Sequence, residues 1–188
     1  MNLTKISKFI SLVLRHKPEE AHITLDKHGW ANAEQLVAGV EARYPGFTFA
    51  DLEEIVRTDE KGRYSFSEDR IDIRANQGHS IPVDLGLKPV RPPKTLYHGS
   101  GMKYRDGIMR DGILPKSRQY VHLSEDIPTA VNVGKRHGDP VVFHIRSREM
   151  YKDGYKFYKS ANGVWLVDRV AREYIRCYEW YSDVGTDA

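Results

Sequence analysis

The first eighty residues show apolar positions at helical spacing, followed by a stretch in which apolar and polar residues alternate. In residues 4–14 apolar side chains return every three or four positions, which predicts a helix with Thr4 as a candidate N-cap and Pro18 beyond its end. The pattern then predicts, in chain order, a strand at 23–25, a helix capped by Asn32, a helix at 49–56 and a hairpin with its turn at Glu68-Asp69.

Helix, strand, helix, helix, hairpin is the order of a winged-helix module. That layout serves both nucleic-acid binding and protein contacts, so it does not by itself define a function. We predict such a lobe at residues 1–80. Residues 81–94 hold Pro82, Pro89, Pro92 and Pro93 together with Gly86, which favours an extended connector.

The second half, residues 95–181, predicts a mixed and largely antiparallel sheet. Short strands are expected at 95–98, 120–123, 141–145, 157–158 and 164–167, with helices at 104–111 and 127–136. Asn162-Gly163 is a strong hairpin turn between the last two of these strands. Residues 182–188 are small and acidic and predict a frayed tail. The fold class is therefore α+β.

Composition narrows the class of protein. With 40% hydrophobic and 29% charged residues and no long apolar run, the chain is expected to be soluble and cytoplasmic, with no membrane role. The one cysteine, Cys177, excludes an internal disulfide and a cysteine-based zinc site. A formal charge of +3 permits a polyanionic partner without requiring one. A monomer is expected.

Two polar groups in the first half are candidates for chemistry. Arg15-His16 stands at a predicted helix end, where the alternative reading is simple complementation of the helix dipole. The run from Arg74 to Ser80 follows a predicted strand, and its Gly78 beside His79 suits a close approach of backbone to a ligand. An ordinary solvated turn explains that run equally well.

Two further groups lie in the second half. Tyr97-His98-Gly99-Ser100 could offer backbone amides and a hydroxyl to a small molecule, although a single histidine is more often structural. In the run Ser117-Arg118-Gln119-Tyr120-Val121-His122-Leu123-Ser124, strand alternation places His122 and Ser124 on one face.

Standard catalytic motifs are missing from the sequence. It has no phosphate-binding loop of the Gly-rich Lys-Ser/Thr type, no dinucleotide-binding glycine fingerprint and no Gly-x-Ser-x-Gly elbow. Its eight histidines lack the His-x-x-x-His spacing of a helical zinc site, so no metal is expected.

Taken together, the four polar groups resemble the signature of the RNA 2′-phosphotransferase family, which is known from tRNA splicing and is also found in bacteria and archaea. The resemblance covers nearly the whole chain. Its blocks are Leu12-Val13-Leu14-Arg15-His16-Lys17-Pro18, Leu25-Asp26-Lys27-His28-Gly29-Trp30, Ile73-Arg74-Ala75-Asn76-Gln77-Gly78-His79-Ser80, Leu96-Tyr97-His98-Gly99-Ser100, Val121-His122-Leu123-Ser124 and Asn162-Gly163-Val164-Trp165-Leu166.

The resemblance implies a winged-helix lobe that helps to hold RNA and a second lobe, similar to ADP-ribosyltransferases, that holds NAD. The family's essential quartet maps onto Arg15, His16, Arg74 and Arg118, the last of these in the second lobe. The implied NAD contacts are His98 and Ser124 on the nicotinamide side, Gly99 and Ser100 on the adenylate side, and His122 as an orienting residue. Gln77, His79 and Ser80 are implied as substrate contacts.

The implied reaction moves an internal RNA 2′-phosphate to NAD and releases nicotinamide. A 2′-phospho-ADP-ribosylated RNA forms first, and transesterification then yields ADP-ribose 1″,2″-cyclic phosphate and an RNA 2′-OH. A phosphomonoester carries about −1.5 to −2 charge, so it needs no base to activate it, whereas arginine forks suit its docking. His16 is the candidate to assist the second step.

Two rival functions remain open from the sequence. One is an ADP-ribosyltransferase that modifies a nucleic-acid end or a protein and stops after transfer. The other is a non-catalytic winged-helix RNA or DNA binder, which would bind RNA without releasing nicotinamide. The basic quartet argues against the second, because a binder has no need for that set.

Overall fold

The computed structural model describes residues 2–181. Met1, the predicted tail at 182–188 and the side chain of Cys177 lie outside the described residues. The protein is a mixed α+β structure with antiparallel sheets, and it divides into two compact units. The first contains the chain up to Leu87 together with Ser117–Gln119, and the second contains Lys88–Lys116 and the chain from Tyr120 onward.

The first helix, α1, spans Leu3–Arg15 and buries the apolar face that the sequence predicts. Its N-cap is Asn2, whose side-chain oxygen accepts the Lys5 N–H at 3.0 Å, so the prediction of Thr4 as the cap was wrong. Starting two residues earlier lets Asn2 satisfy one of the free N–H groups of the first turn, and Thr4 lies within the helix.

The strand predicted at 23–25 is also wrong. The first strand, β1, is Trp30–Asn32. The Asp26 side chain accepts the backbone N–H groups of His28 and Trp30 at 2.8 and 2.9 Å, which folds residues 26–30 into a turn. Pairing in a sheet therefore begins only at Trp30.

The other elements of the first unit confirm the predicted order. They are α2 at Ala33–Arg43, α3 at Phe49–Arg57, β2 at Tyr64–Phe66 and β3 at Asp72–Ala75. Asn32 caps α2 as predicted, accepting the Gln35 N–H at 3.0 Å. The strands form an antiparallel sheet in the order β1-β3-β2 that places Arg74 of β3 directly between Trp30 and Ser65.

The second unit contains two antiparallel three-stranded sheets. Its elements are β4 at Leu96–Gly101, α4 at Arg105–Asp111, β5 at Val121–Leu123, α5 at Ile127–Gly134, β6 at Pro140–Ile145, α6 at Ser147–Lys152, β7 at Phe157–Lys159, β8 at Trp165–Val167 and β9 at Ile175–Trp180. The sheet orders are β4-β6-β9 and β5-β8-β7. All five predicted strands and both predicted helices are present in this list, whereas β9 and the short helix α6 were not predicted.

The predicted turn at Asn162-Gly163 does join β7 and β8. Gly163 has a φ of 80°, and its N–H donates to the Ser160 carbonyl at 2.9 Å. Residues 81–94 contain no helix or strand, as expected for a proline-rich connector. None of the helices in the described part of the chain combines the length and the apolarity that a bilayer span requires.

Gly99 of β4 is fixed by packing within the second unit. A Cβ atom at this position would lie 1.7 Å from the Ala130 carbonyl oxygen of α5. Contacts below 3.0 Å require something to move, and here the neighbouring atom is helix backbone that cannot turn aside. The absence of a side chain at Gly99 therefore allows α5 to lie against β4.

We expect Gly99→Ala to lower the free energy of unfolding by about 3 kcal/mol, the upper range for overpacking a core. Chemical denaturation measured by circular dichroism gives this value. Gly107→Ala is the matched control, because a Cβ there has no neighbour within 4 Å and alanine favours the helix interior. Equal stability of the two variants would contradict the packing role.

Candidate active site

The end of α1 brings two of the predicted groups together. The backbone N–H of Ser80 donates to the Arg15 carbonyl at 3.0 Å, and the Ser80 hydroxyl lies 2.9 Å from Nδ1 of His16. Gly78, with a φ of 92°, lies against the guanidinium group, since a Cβ there would be 3.5 Å from Arg15 Nε. The helix end and the segment after β3 thus form one local structure.

Arg74 enters the same region from β3. Its guanidinium carbon lies 4.4 Å from the centroid of the Trp30 ring across the β1-β3 pair. Stacking of this kind holds a guanidinium group by its flat face and leaves its edge N–H groups available to a ligand. The sequence did not single out Trp30 for this role, although pairing of the two strands in register would have suggested it.

Arg118 belongs to the first unit, which differs from the predicted assignment to the lobe at 95–181. The reason is backbone pairing next to it: the Gln119 N–H donates to the His79 carbonyl at 3.1 Å, and its side-chain amide donates to Val83 at 3.0 Å. Arg118 is exposed, and its charge acts on both Arg15 and His16. The whole predicted quartet therefore lies in one unit.

Several buried nitrogen atoms in this cluster lack a hydrogen-bond partner among the residues that the structure describes. They are Nε and Nη2 of Arg15, Nε of Arg74, and both ring nitrogens of His79. Leaving a buried donor unsatisfied costs roughly 1–3 kcal/mol, and more when the donor is charged. Almost all of these atoms are donors, so the group that satisfies them must supply acceptor oxygens.

The pKa shifts in the cluster also indicate that it suits an anion. Burial, followed by the charges of Arg15 and Arg118, lowers the pKa of His16. Burial also lowers the pKa of Arg74, an effect that nearby Asp26 partly offsets. Burial, followed by the charges of Arg15, His16 and Arg74, lowers the pKa of His79 to about 4. Positive charge is in excess here, and an anion would relieve it.

We refer to Arg15, His16, Arg74, His79 and Arg118 as the cationic cluster. Of the other two predicted substrate contacts, Ser80 is hydrogen-bonded to His16, as described above, whereas Gln77 is half-buried on the same segment. The sequence missed Gln119, whose hydrogen bonds join 117–119 to this segment. No local pattern marks such a contact between residues far apart in the chain.

The predicted NAD residues lie in the second unit, where β4 runs beside β5 and the residue that follows it. Nδ1 of His98 lies 3.0 Å from the His122 carbonyl, and Tyr97 pairs with Ser124 by two backbone hydrogen bonds of 2.8 and 2.9 Å. The side chains of His98, His122 and Ser124 are half-buried, whereas Gly99 and Ser100 are buried. Three of the five candidates thus present polar groups that a ligand could contact.

Metal ligands form no comparable group. Among the residues from 2 to 181, no set of three or more His, Cys, Asp or Glu side chains is arranged to hold a metal ion.

These features define an α+β protein with a partly buried cationic cluster whose donors suit a phosphate group. A sequence model of the RNA 2′-phosphotransferase, Tpt1 / KptA family matches residues 1–169, and the chain belongs to that family of transferases.

Similar proteins cover nearly the whole chain. A probable RNA 2′-phosphotransferase from Nostoc punctiforme is 50% identical over 174 residues, which is 93% of this chain and 96% of that protein. Proteins with the same description from Hahella chejuensis and Fusobacterium nucleatum are each 49% identical, over 90% and 93% of this chain and 91% and 98% of their own lengths.

The depressed pKa of His79 predicts a loss of stability in acid. Below pH about 6.5 the unfolded imidazole binds a proton, while the folded imidazole stays neutral down to about 4. Because the unfolded state then binds more protons, the free energy of unfolding should fall by up to about 3 kcal/mol as the pH drops through this window.

Denaturant unfolding from pH 7 to 4 tests this expectation. His79→Gln, which cannot titrate, should lose less stability over the window than the wild type. His22→Asn is the control, because His22 is exposed and has a φ of 53°, which asparagine tolerates. Parallel pH profiles for the wild type and His79→Gln would refute the assignment.

Proposed function

We propose that the protein transfers an internal RNA 2′-phosphate to NAD. The products are nicotinamide, ADP-ribose 1″,2″-cyclic phosphate and RNA with a 2′-OH, formed by way of a 2′-phospho-ADP-ribosylated RNA. Its RNA would be a tRNA or a tRNA-like molecule. The observation that carries the proposal is the set of unpartnered Arg15 and Arg74 nitrogens in a cluster that also contains His16 and Arg118.

The arginines would hold the phosphate of the RNA. Charge-assisted bonds from guanidinium N–H groups to phosphate oxygens are about twice as strong as neutral ones and are often bidentate. Arg74 is already held by the Trp30 ring, and the guanidinium group of Arg15 lies beside Gly78. Such preorganisation lowers the entropic cost of binding a dianion.

The residues at the β4–β5 join fit a polar ligand such as NAD. His98 of β4, His122 of β5 and Ser124 directly after β5 offer imidazole and hydroxyl groups, and these side chains are half-buried. NAD would supply a glycosidic carbon from which nicotinamide can depart. His98 and Ser124 would contact the nicotinamide–ribose part. Packing of α5 accounts for Gly99, and Ser100 is buried, so these two have less support as contacts to the adenylate part.

His16 would assist the transesterification step. Its Nδ1 lies 2.9 Å from the Ser80 hydroxyl, which fixes the plane of the ring. Burial and neighbouring arginines lower its pKa, so the free protein holds it neutral near pH 7, and a bound phosphate dianion would favour its protonated form. A group that changes protonation in this way can move a proton to or from the oxygens that are exchanged.

The remaining features of the proposal rest on the fold. The order α1, β1, α2, α3, β2, β3 supports a winged-helix unit that helps to bind RNA. The antiparallel sheets of the second unit support a lobe similar to ADP-ribosyltransferases. We further propose a cytoplasmic monomer that needs no metal.

Incubation with a 2′-phosphorylated oligonucleotide, with and without NAD, tests the reaction. We expect dephosphorylated RNA, nicotinamide and a cyclic phosphate product only when NAD is present, as measured by liquid chromatography and mass spectrometry. Omission of NAD and addition of a chelator are the controls. An RNA that stays ADP-ribosylated would favour a transferase that stops after the first step, and NAD-independent release of phosphate would reject the proposal.

His16→Ala should separate the two steps. Removal of a group that transfers protons typically costs 10²–10⁴-fold in rate, so the ADP-ribosylated RNA should accumulate while nicotinamide is still released. Gel analysis of labelled RNA over time measures both species, with His22→Asn as the exposed control. Undiminished formation of the RNA 2′-OH by His16→Ala would exclude the assigned role.

A further inference from the structure

Glu125 of the second unit is bonded to side chains of two neighbouring strands. Its Oε1 accepts the indole N–H of Trp165 at 2.7 Å and a proton from the Lys159 ammonium group, also at 2.7 Å. Trp165 of β8 and Lys159 of β7 stand directly opposite each other, and the ammonium group lies 5.3 Å from the centroid of the indole ring. One carboxylate oxygen therefore connects the segment after β5 to both strands.

Trp165 is the inner partner of this carboxylate. It is 4% exposed, and it pairs with Leu123 of β5, two residues before Glu125. A tryptophan buried to this degree needs an acceptor for its N–H, since an unsatisfied buried donor is costly. Hydrogen bonds from Lys159, and then from Trp165, lower the pKa of Glu125, so the carboxylate is ionised at neutral pH. Folding of the unit thus favours Glu125 beside Trp165.

Ser124, the residue before Glu125, is bonded to a different strand. Its N–H donates to the Tyr97 carbonyl at 2.8 Å, and its carbonyl accepts the Tyr97 N–H at 2.9 Å. This bridge links the β4-β6-β9 sheet to the β5-β8-β7 sheet. Beside it, Nδ1 of His98 lies 3.0 Å from the His122 carbonyl. The side chains that would contact NAD therefore lie where the two sheets meet.

The two adjacent residues have separate tasks. The Ser124 backbone is bonded to β4 and its hydroxyl would contact NAD, whereas the Glu125 side chain is bonded to β7 and β8. Loss of the Glu125 hydrogen bonds would let this end of the segment move away from β8, and Ser124 would move with it. A displacement of about 1 Å can cost on the order of a hundredfold in the rate of a reaction.

We propose that Glu125 is a positioning residue for NAD, and that its hydrogen bond to Trp165 fixes the segment from which Ser124 contacts the nicotinamide–ribose part. This inference rests on the proposed function, since it takes Ser124 as a contact to NAD. It gives Glu125 itself no contact with NAD and no part in proton transfer.

The hydrogen bond to Trp165 contributes more to this role than the ion pair does. The side chains of Lys159 and Glu125 are 40% and 49% exposed, and ion pairs exposed to this degree contribute little. Glu125→Gln keeps an oxygen for the indole N–H and loses the charge, whereas Glu125→Ala loses both. Comparison of the two variants therefore separates the hydrogen bond from the ion pair.

Steady-state kinetics of phosphate transfer from a 2′-phosphorylated oligonucleotide tests the role. We expect Glu125→Ala to raise the KM for NAD about tenfold, the loss expected for a hydrogen bond to a charged group. The KM for the oligonucleotide should not change, because the cationic cluster belongs to the first unit. Glu125→Gln should keep a KM for NAD within about threefold of the wild type. Partial unfolding would instead lower kcat and leave both KM values unchanged.

Glu149→Ala is the matched control. Glu149 lies in α6 of the same unit, is 54% exposed and pairs with Arg146 at 2.7 Å, so this variant removes a similar ion pair away from Ser124. It should leave both KM values unchanged. Because Glu125 acts through Ser124, Ser124→Ala combined with Glu125→Ala should have about the KM for NAD of the weaker single variant. Multiplied effects would show that the two residues act independently.

Two nuclear magnetic resonance measurements do not depend on turnover. In the free protein, the Ser124 amide proton should exchange with solvent faster in Glu125→Ala than in the wild type or Glu149→Ala. In the wild type, saturating NAD should shift the Trp165 indole resonance, which Trp165→Phe assigns among the three tryptophans. Adenosine monophosphate, which lacks the nicotinamide–ribose part, should shift it less. Unchanged amide exchange in Glu125→Ala, or an indole resonance that does not respond to NAD, would overturn the inference.

The outcomes separate this inference from the proposed function. If the wild type transfers phosphate to NAD and Glu125→Ala keeps the KM for NAD, Glu125 has no positioning role and the proposed function stands. Equal increases in KM for Glu125→Gln and Glu125→Ala would assign the effect to charge and reject the role of the Trp165 hydrogen bond. If the wild type transfers no phosphate to NAD, the proposed function fails, and this inference fails with it.

Discussion

Burial of guanidinium donors without acceptors is the physical constraint on which the first unit depends. Nε and Nη2 of Arg15 and Nε of Arg74 are buried, and none of them has a hydrogen-bond acceptor among residues 2–181. Such a state is costly, so the rest of the unit must stabilise it. The apolar face of α1, with Ile10, Val13 and Leu14 fully buried, anchors the helix end at which Arg15 stands. The packed core thus holds Arg15 in place at the helix end.

The sequence predicted the local parts of this arrangement. Helical spacing gives the buried face of α1, Asn32 is recognisable as a cap, and the hairpin of β2 and β3 follows from alternation. The errors are also local. Asn2 and Thr4 are both good capping residues two positions apart, and Leu3 can extend the apolar face, so the pattern alone could not choose between them. At 23–25 the alternation of Ile23, Thr24 and Leu25 resembles a short strand, but no strand in the described part of the chain pairs with these residues, and the first strand begins only after the Asp26 turn.

What the sequence could not predict depends on register and on contacts between distant residues. Arg74 meets Trp30 only because β1 and β3 pair with those two residues opposite each other. Arg118 joins the first unit through hydrogen bonds made by its neighbour Gln119 to His79 and Val83. Neither contact leaves a periodic or compositional signal. The resemblance to a family did indicate Arg15, His16, Arg74 and Arg118 as a set, but not how they are held.

Gly99 has two different explanations, one from the sequence and one from the structure. In the sequence, a glycine after a histidine indicates close approach of a ligand to the backbone. In the structure, the α5 backbone occupies the space where its side chain would be. Loss of activity in a Gly99 variant would therefore not show that Gly99 contacts a ligand. Displacement of α5 by the added side chain would have the same effect.

The cationic cluster contains two kinds of group, arginines with a fixed positive charge and histidines whose charge depends on protonation. Arg15, Arg74 and Arg118 stay positive at any physiological pH, whereas burial and these same arginines keep His16 and His79 neutral in the free protein. Five fixed cations would repel each other strongly in a partly buried site. Neutral imidazoles avoid that repulsion, and a bound anion would favour their protonated form. A cluster of this composition is therefore least strained when it is occupied, which is the behaviour expected of a site built for a phosphate group rather than for packing alone.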